Sequence, residues 1–483
     1  MIVNADAFRI PLPDGVVQCV VTSPPYWGLR AYSGEQERVW DGAADCEHEW
    51  ETHRQAASGG RNTAENPPNT GGSSTQQAVP NPSRDGVTSS FCQRCGAWRG
   101  GLGLEPTPEM FIEHLVQVFR EIRRVMRDDA VAWANMGDCF NDKQLVMVPH
   151  RLALVLQADG WWVRSDVAWS KPNPMPESLS GWGWEQCKVK TQAHADHEQA
   201  LQDRMAEVGG DRARAALDVR TDRAALDVWE PCTGCPKCRD NDGLVLRRGS
   251  WRPTSAHEYV FMLAKSSTYF SDGEAVREAN KPESIERDKL GWKAAFKGRH
   301  TMPGEKRPHS TDHTGFCNPA GRNLRSVWNI STQPFKGAHY ATFPTALAQR
   351  CVLASTSRHA CAECGAPHVR VVEKTTAQPG QKPGYNRDCG GRNDGERAGK
   401  WTDHNTTTLA HRPSCGCGAG VRPCIVLDPF CGSGTVGQVC RELPHRRDFV
   451  GLDLSFEYLQ DQALVRSERR TPPSALAELP MFA

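Results

Sequence analysis

The sequence predicts an α/β chain with a doubly wound, mostly parallel sheet covered by helices on both faces. Two observations predict it. Apolar runs of strand length alternate with helix-periodic stretches along the 483 residues. Two of those runs also end in the turn chemistry that parallel sheets use at their ligand edge, Ser23-Pro24-Pro25-Tyr26 and Asp428-Pro429-Phe430-Cys431-Gly432.

The elements follow in order. VVQCVVT at 16–22 is a buried strand running into the Pro-Pro turn. Residues 108–127 place Phe111, Leu115, Val118, Phe119 and Ile122 at helical spacing, an amphipathic helix. AVAWANMGD at 130–138 is the next strand. Residues 148–171 read as helix, glycine turn and strand, and HEYVFMLAKS at 257–266 as a further strand. FPTALAQRCVLAS at 343–355 is a helix, while PCIVLDPF at 423–430 and FVGLDLS at 449–455 are strands.

Other stretches fall outside a core. Residues 54–90 and 376–413 are rich in Gly, Ser, Asn and Pro and cannot bury enough apolar surface to offset chain entropy, so both are expected as loops or disordered. Residues 190–228 are charged and helix-prone, with RAALDV at 214–219 repeated at 223–228, and suit a solvated helix or helical pair without chemistry. Lys+Arg 58 against Asp+Glu 57 exclude a uniformly basic DNA coat but allow a locally basic groove. No apolar run reaches the roughly 18–20 residues of a membrane span. The N-terminus lacks a signal-peptide pattern, so a cytoplasmic protein is expected.

The 19 cysteines are the compositional outlier, and in a reducing compartment clustered cysteines point to metal. Cys46 and His48 with Cys92 and Cys95 supply four borderline-soft ligands, enough for one closed tetrahedral zinc site. Cys361, Cys364, Cys415 and Cys417 supply another. Cys232, Cys235 and Cys238 supply three, with Cys187 as the fourth across the charged insertion. All are expected to be structural, since closed sites leave no position for substrate. Cys19, Cys139, Cys351 and Cys440 stand singly in apolar stretches, as small core residues do.

Two strand ends carry the chemistry. In DPFCGSGTVG, 428–437, Gly432 and Gly434 stand where a strand turns tightly into a helix, so backbone and helix N-terminus can approach a ligand. The P-loop lysine is missing; Gly432, Gly434 and Gly437 do fall at G-x-G-x-x-G spacing, but the stretch is read as suiting a mononucleoside-type cofactor and not a dinucleotide. Asp453 ends the next strand, placed to hold ribose hydroxyls. G-x-G alone is weak; the preceding strand, Asp428 and Asp453 strengthen it. In TSPPYW, consecutive prolines fix a stiff turn from which the carbonyls of Ser23 and Pro24 project. A serine hydroxyl, a fixed carbonyl and the Tyr26 face suit the exocyclic amine of a flipped base. By itself the tetrapeptide is equally a plain Pro-Pro loop with a buried aromatic.

The conjunction of TSPPYW near the start with DPFCGSGT near the end resembles the DNA amino-methyltransferases of the N4-cytosine/N6-adenine family, in their permuted β motif order. RVMRDDAVAWANMGD, GWWVRSDVAWSKPNPMPES, RPTSAHEYVFMLAKS and HYATFPTALAQR fall in that family's order. The resemblance implies a circularly permuted S-adenosylmethionine-dependent methyltransferase fold with zinc-ribbon-like and loop insertions. Its catalytic half would begin at 1–45, be interrupted by the cysteine/histidine insertion 46–95, and resume over 96–185. The charged insertion with its cysteines spans 186–249, a core strand region 250–280, and a target-recognition region 281–325. A segment closing the cofactor site at 326–360, the insertion 361–417, the S-adenosylmethionine half 418–470 and a tail 471–483 complete the order.

The resemblance also implies residue roles. Asp428, Phe430, Gly432, Gly434 and Thr435 would line S-adenosylmethionine, Asp453 would hold its ribose, and Asp6 would reach its adenine. His339, Thr342 and Pro344 would close over the methionine end. Ser23, Pro24, Pro25 and Tyr26 would form the catalytic turn. Ser23, where adenine-modifying relatives usually carry Asp or Asn, leans the product toward N4-methylcytosine over N6-methyladenine. Cys431 departs from the small residue common there.

Residues 286–325 carry nine Lys/Arg against four Asp/Glu, interleaved with Trp292 and Phe296, which suits phosphate contact and groove reading. Double-stranded DNA is the implied partner, and a cognate restriction endonuclease would be a separate protein. The competing readings are a zinc-containing nucleic-acid-binding protein with an inactive methylase core and an enzyme acting on an amine of RNA or protein. The intact Ser23–Tyr26 turn and Asp428, Gly432, Gly434 and Asp453 argue against the inactive core. The Pro-Cys pairs at 231–232 and 423–424 resemble carbon-5 cytosine methylases only superficially.

Overall fold

The computed structural model describes residues 1–28, 37–43, 45–55, 87–174, 177, 181–190, 192–207, 229–290, 320–333, 343–375 and 405–467. The duplicated RAALDV, Trp292, Phe296, His339, Thr342 and the tail 471–483 lie outside them. The chain divides into two compact units, Met1–Asn173 with His257–Ala483, and Pro174–Ala256.

The larger unit is built on eight strands: β1 (Ile2–Asn4), β2 (Val17–Thr22), β3 (Met126–Met136), β4 (Trp162–Ser170), β5 (His257–Ala264), β6 (Val327–Asn329), β7 (Ile425–Asp428) and β8 (Asp448–Asp453). They lie in the order β1-β8-β7-β2-β3-β5-β4-β6. From β1 to β3 every pairing is parallel; β5 runs antiparallel to both β3 and β4, and β6 returns parallel to β4. The sheet is therefore mostly parallel with one reversed strand. Ser170 faces His257 at the open end of the β4–β5 hairpin, so the smaller unit is an insertion between two hairpin strands.

Strand alternation sends neighbouring side chains to opposite faces. Val20, Ala132 and Ala134 pack on one face with Phe111, Leu115, Phe119 and Ile122 of α1 (Pro108–Val125) and with Leu152 and Leu156 of α2 (Val148–Ala158). Cys19, Val21, Val131 and Trp133 pack on the other with Cys351 and Val352 of α3 (Thr345–Ser355) and Val436, Val439 and Cys440 of α4 (Thr435–Glu442). Helix α1 starts where the Thr107 hydroxyl accepts from Met110 N at 3.3 Å, with Pro108 at its first position, and carries Arg123 and Arg124 in its last turn. Cys19, Cys351 and Cys440 are fully buried, whereas Cys139 is only half-buried, beyond the end of β3.

Two expected loops contain strands. Trp50–Gln55 pairs with Val87–Cys92, and His368–Thr375 pairs antiparallel with Asn405–Pro413. Their polar, partly β-branched sequences satisfy the backbone through a hairpin ladder, a pairing composition does not reveal; 56–86 and 376–404 lie outside the described residues. In the basic segment the described part holds helix Pro282–Leu290, and both Arg322 and Arg325 donate to the Glu278 carboxylate, at 2.9 and 3.0 Å.

The smaller unit contains the pairs Trp182–Gln186 with Leu244–Arg248 and Lys188–Lys190 with Trp229–Pro231, and the helix Gln192–Glu207. Trp182, Trp184 and Trp251 are exposed on it.

Candidate active site and metal-ligand clusters

Strands β2 and β7 are hydrogen-bonded neighbours, and their C-terminal ends open into one cavity of about 220 Å³. Its walls include Asp6, Ser23, Pro24, Pro25, Tyr26, Asp428, Phe430, Gly432, Thr435 and Asp453. Residues separated by some 400 positions thus share one space because adjacent parallel strands end at the same edge. The Thr22 hydroxyl donates to Asp428 Oδ1 at 2.8 Å, tying the two strand ends together.

Gly432 sits at φ +43° and its N–H donates to Asp453 Oδ2 at 2.9 Å, while Asp453 Oδ1 accepts from Ser455 N at 2.9 Å. Gly434 does not line the cavity. At φ +75° it caps α4 facing residues 463–467, where an added Cβ would come within 2.8 Å of Ala463 Cα, so its glycine serves packing. Pro344 also stands off the cavity, at the N-cap of α3, and its neighbour Phe343 lines the wall instead.

The Ser23–Tyr26 turn is held from below by a polar network. Ser23 Oγ donates to the Asn135 carbonyl at 3.2 Å. Tyr26 Oη donates to Glu258 Oε2 at 2.8 Å and accepts from Asn135 Nδ2 at 2.8 Å, and Lys171 pairs with Glu258. The Tyr26 ring lies against Gly137, where an added Cβ would come within 2.5 Å of it. Sequence reasoning misses Asn135, Glu258 and Lys171, which the fold brings together beneath Tyr26. The one signal was a polar residue, Asn135, inside the otherwise apolar AVAWANM.

Four carboxylates, Asp6, Glu37, Asp428 and Asp453, line the cavity with one cation, Arg38, which pairs with Asp6. Such a wall repels phosphate and suits a ligand that is cationic and rich in N–H and O–H donors. Burial pushes the Asp428 carboxyl up to about 7, against hydrogen bonds from Thr22 and Phe430 N, and raises Asp453 as well. Because the folded value exceeds the unfolded 3.8, the folded state holds the extra proton between them. Stability is then highest below about pH 4 for this group and falls as pH rises to about 7, by an amount on the order of 4 kcal/mol. Asp428→Asn should remove that slope and be more stable than wild type at pH 8. Urea unfolding from pH 5 to 8 checks this, and an unchanged slope would reject it.

Three further groups bring four soft ligand atoms within 4.8 Å of one another: Cys46, His48, Cys92 and Cys95; Cys187, Cys232, Cys235 and Cys238; and Cys361, Cys364, Cys415 and Cys417. Cys187 Sγ lies 3.8 Å from Cys235 Sγ, which is 3.7 Å from Cys238 Sγ. These separations exceed the roughly 2.05 Å of a disulfide. They match the edge of about 3.8 Å expected for a tetrahedron of Zn–S bonds near 2.3 Å.

The chain is 26% identical over 477 residues to the type II methyltransferase M.Cfr9I of Citrobacter freundii, covering 93% of this chain and 80% of the relative. It is 24% identical over 476 residues to M.SmaI of Serratia marcescens, covering 92% and 83%. Among solved structures, the cytosine-N4-specific PvuII DNA methyltransferase aligns at 9% identity with a TM-score of 0.38, over 95% of this chain and 83% of that one. No helix among the described residues is long and apolar enough to cross a membrane. The model of the N6/N4 DNA methylase family matches residues 17–360, well over half of the sequence, and the chain belongs to that family.

Proposed function

We propose that this DNA methylase binds S-adenosylmethionine in the cavity between the ends of β2 and β7 and methylates the exocyclic N4 amine of a cytosine flipped out of duplex DNA. The observation that carries the proposal is the single cavity shared by the Ser23–Tyr26 turn and the Asp428/Asp453 edge. S-adenosylmethionine supplies a methyl group already electrophilic on its sulfonium. Its cationic centres and its ribose and amine donors suit the carboxylate-rich wall. Asp453 would accept from the ribose hydroxyls, and Asp6, held by Arg38, would face the adenine.

The chain's own task is to place the amine lone pair in line with the reacting methyl carbon. The Ser23 hydroxyl donates to the Asn135 carbonyl at 3.2 Å and accepts from Asn135 Nδ2 at 3.5 Å, which leaves one lone pair to accept from the amine. The Pro24 carbonyl, fixed by two prolines, accepts the second N–H. Both bonds draw the nitrogen toward sp³ geometry and expose its lone pair. Neither acceptor is a strong base, so positioning dominates: the N–C bond would form as the C–S bond breaks with its electron pair left on sulfur, and the surplus N–H proton would leave late, to solvent. Tyr26, clamped by Glu258, Asn135 and Gly137, would offer its ring face to the flipped base. Phe430 and Phe343 would exclude water.

Ser23 is a smaller, neutral acceptor than a carboxylate, and this favours cytosine within the family's chemistry. N6-adenine remains the second reading, because both bases present an NH₂ beside a ring nitrogen. Incubation with labelled S-adenosylmethionine and duplex DNA, digestion to nucleosides and mass spectrometry should return N4-methylcytosine. Methyladenine would overturn the base and leave the amine mechanism standing; 5-methylcytosine would overturn both.

A further inference from the structure

We infer that Cys46, His48, Cys92 and Cys95 bind one zinc ion, and that this ion fixes the cavity wall formed by Glu37, Arg38 and Trp40. The second half rests on the proposal that the cavity takes S-adenosylmethionine.

Cys46 Sγ lies 3.9 Å from Cys92 Sγ, and Cys95 Sγ lies 3.4 Å from His48 Nδ1. A tetrahedral zinc with Zn–S near 2.3 Å and Zn–N near 2.0–2.1 Å has edges of about 3.8 Å between sulfurs and about 3.6 Å from sulfur to nitrogen. The imidazole among thiolates suits zinc better than an iron–sulfur centre.

Cys92 ends a strand of a four-stranded antiparallel sheet, and Cys46, His48 and Cys95 lie in its connections; in it Arg38–Trp40 pairs with Trp98–Gly100, which pairs with Val87–Cys92, which pairs with Trp50–Gln55. Its strands are three to six residues long. A sheet this small has little core and depends on a staple. The ligand loops are also joined by backbone bonds, Gln93 N to Glu49 O at 2.8 Å and Cys92 N to Ala97 O at 2.7 Å.

From this cluster the route to the cavity is short. Gly42, two residues after Trp40 and four before Cys46, lies against the cluster: an added Cβ would come within 2.9 Å of Cys95 Sγ and 2.7 Å of Ala97 Cβ. Trp40 Nε1 donates to Gly100 O at 2.8 Å, and its ring meets Phe8 edge-on at a centroid distance of 4.5 Å. The Arg38 guanidinium lies over Phe8 at 4.5 Å and pairs with Asp6. Phe8, Asp6, Glu37, Arg38 and Trp40 all line the cavity.

A second line runs from Asp41 to the catalytic turn. Fully buried His114 bonds Asp41 at 3.1 Å and Glu105 at 3.0 Å, and Trp40 stacks on its ring at 4.1 Å. Glu105 accepts from Gly103 N at 2.7 Å through its carboxylate and from Trp27 Nε1 at 2.9 Å through its carbonyl. Gly103 O in turn accepts from Gly28 N at 2.8 Å, just past Tyr26. Releasing the ion therefore loosens the wall and the exit from the turn together.

The test uses the full chain prepared without chelator, with zinc counted by mass spectrometry and S-adenosylmethionine affinity read by calorimetry. Cys95→Ser should hold one zinc fewer than wild type and bind S-adenosylmethionine about tenfold or more weakly. Cys235→Ser, in the other unit, should lose an ion with affinity unchanged, and His48→Cys should keep both ion and affinity. An undiminished zinc count in Cys95→Ser overturns the site. A lost ion with wild-type affinity overturns the link to the wall. Wild-type chain that binds no S-adenosylmethionine overturns the functional reading alone, because the zinc counts stand apart from it. Linkage is reciprocal, so bound S-adenosylmethionine must also protect one zinc of the wild-type chain from a competing chelator by the same factor. This reads the coupling even where Cys95→Ser does not fold, and unaltered competition at every ion overturns it.

Discussion

Gly432→Val is expected to abolish S-adenosylmethionine binding while leaving a folded protein. Gly432 lines the cavity at φ +43°, a conformation that costs a side-chain-bearing residue about 1–2 kcal/mol and a β-branched one more. Valine would also place two methyl groups beside a backbone N–H that helps orient Asp453. Asp453→Ala should do less, losing the charge-assisted bonds of one carboxylate, about 1.5–3 kcal/mol. Calorimetry on both variants checks the placement. Unchanged affinity in the pair would remove S-adenosylmethionine from this cavity, and thermal unfolding separates lost binding from lost fold.

Ser23→Ala is expected to lower turnover by about 10²–10³-fold, the scale of removing one aimed hydrogen-bond partner from a reacting centre. Cofactor affinity should stay near wild type, because Ser23 contacts the β3 side of the turn through Asn135 and not the Asp453 edge. The expected signature is a fall in kcat with little change in the cofactor Kd. Single-turnover methylation alongside calorimetry tests it, and a variant that turns over normally would show that the Pro24 carbonyl suffices to hold the amine. A fall in affinity matching the fall in rate would place Ser23 in the cofactor site instead.

Both predictions act on segments legible in the sequence, and the reason is local. TSPPYW and DPFCGSGT are strand-to-turn junctions whose geometry is set within a few residues by proline φ and by glycine. The apolar stripe of α1 is legible for the same reason, since Phe111, Leu115, Phe119 and Ile122 repeat at the helix period and are all buried. Cysteine spacing is also local within each half-site, as in Cys92 with Cys95 and Cys361 with Cys364. The sequence was less informative about Asn405–Pro413, where polar residues form a strand because a partner strand is present. For Gly434 the sequence anticipates a positive φ but not the residues it packs on, 463–467.

The sequence by itself determined the α/β class, the Pro-Pro and glycine-rich turns at two strand ends and the residue types able to hold metal, because each follows from local backbone preference, periodicity or side-chain chemistry. The tertiary structure alone decided what meets across long separations. It set β5 antiparallel between β3 and β4, brought Asn135, Glu258 and Lys171 beneath Tyr26, buried His114 between Asp41 and Glu105, and made Arg38 and Trp40 a wall of the cavity. Those placements depend on which strand pairs with which and on the face each residue then presents, and a one-residue change of register would reverse that face.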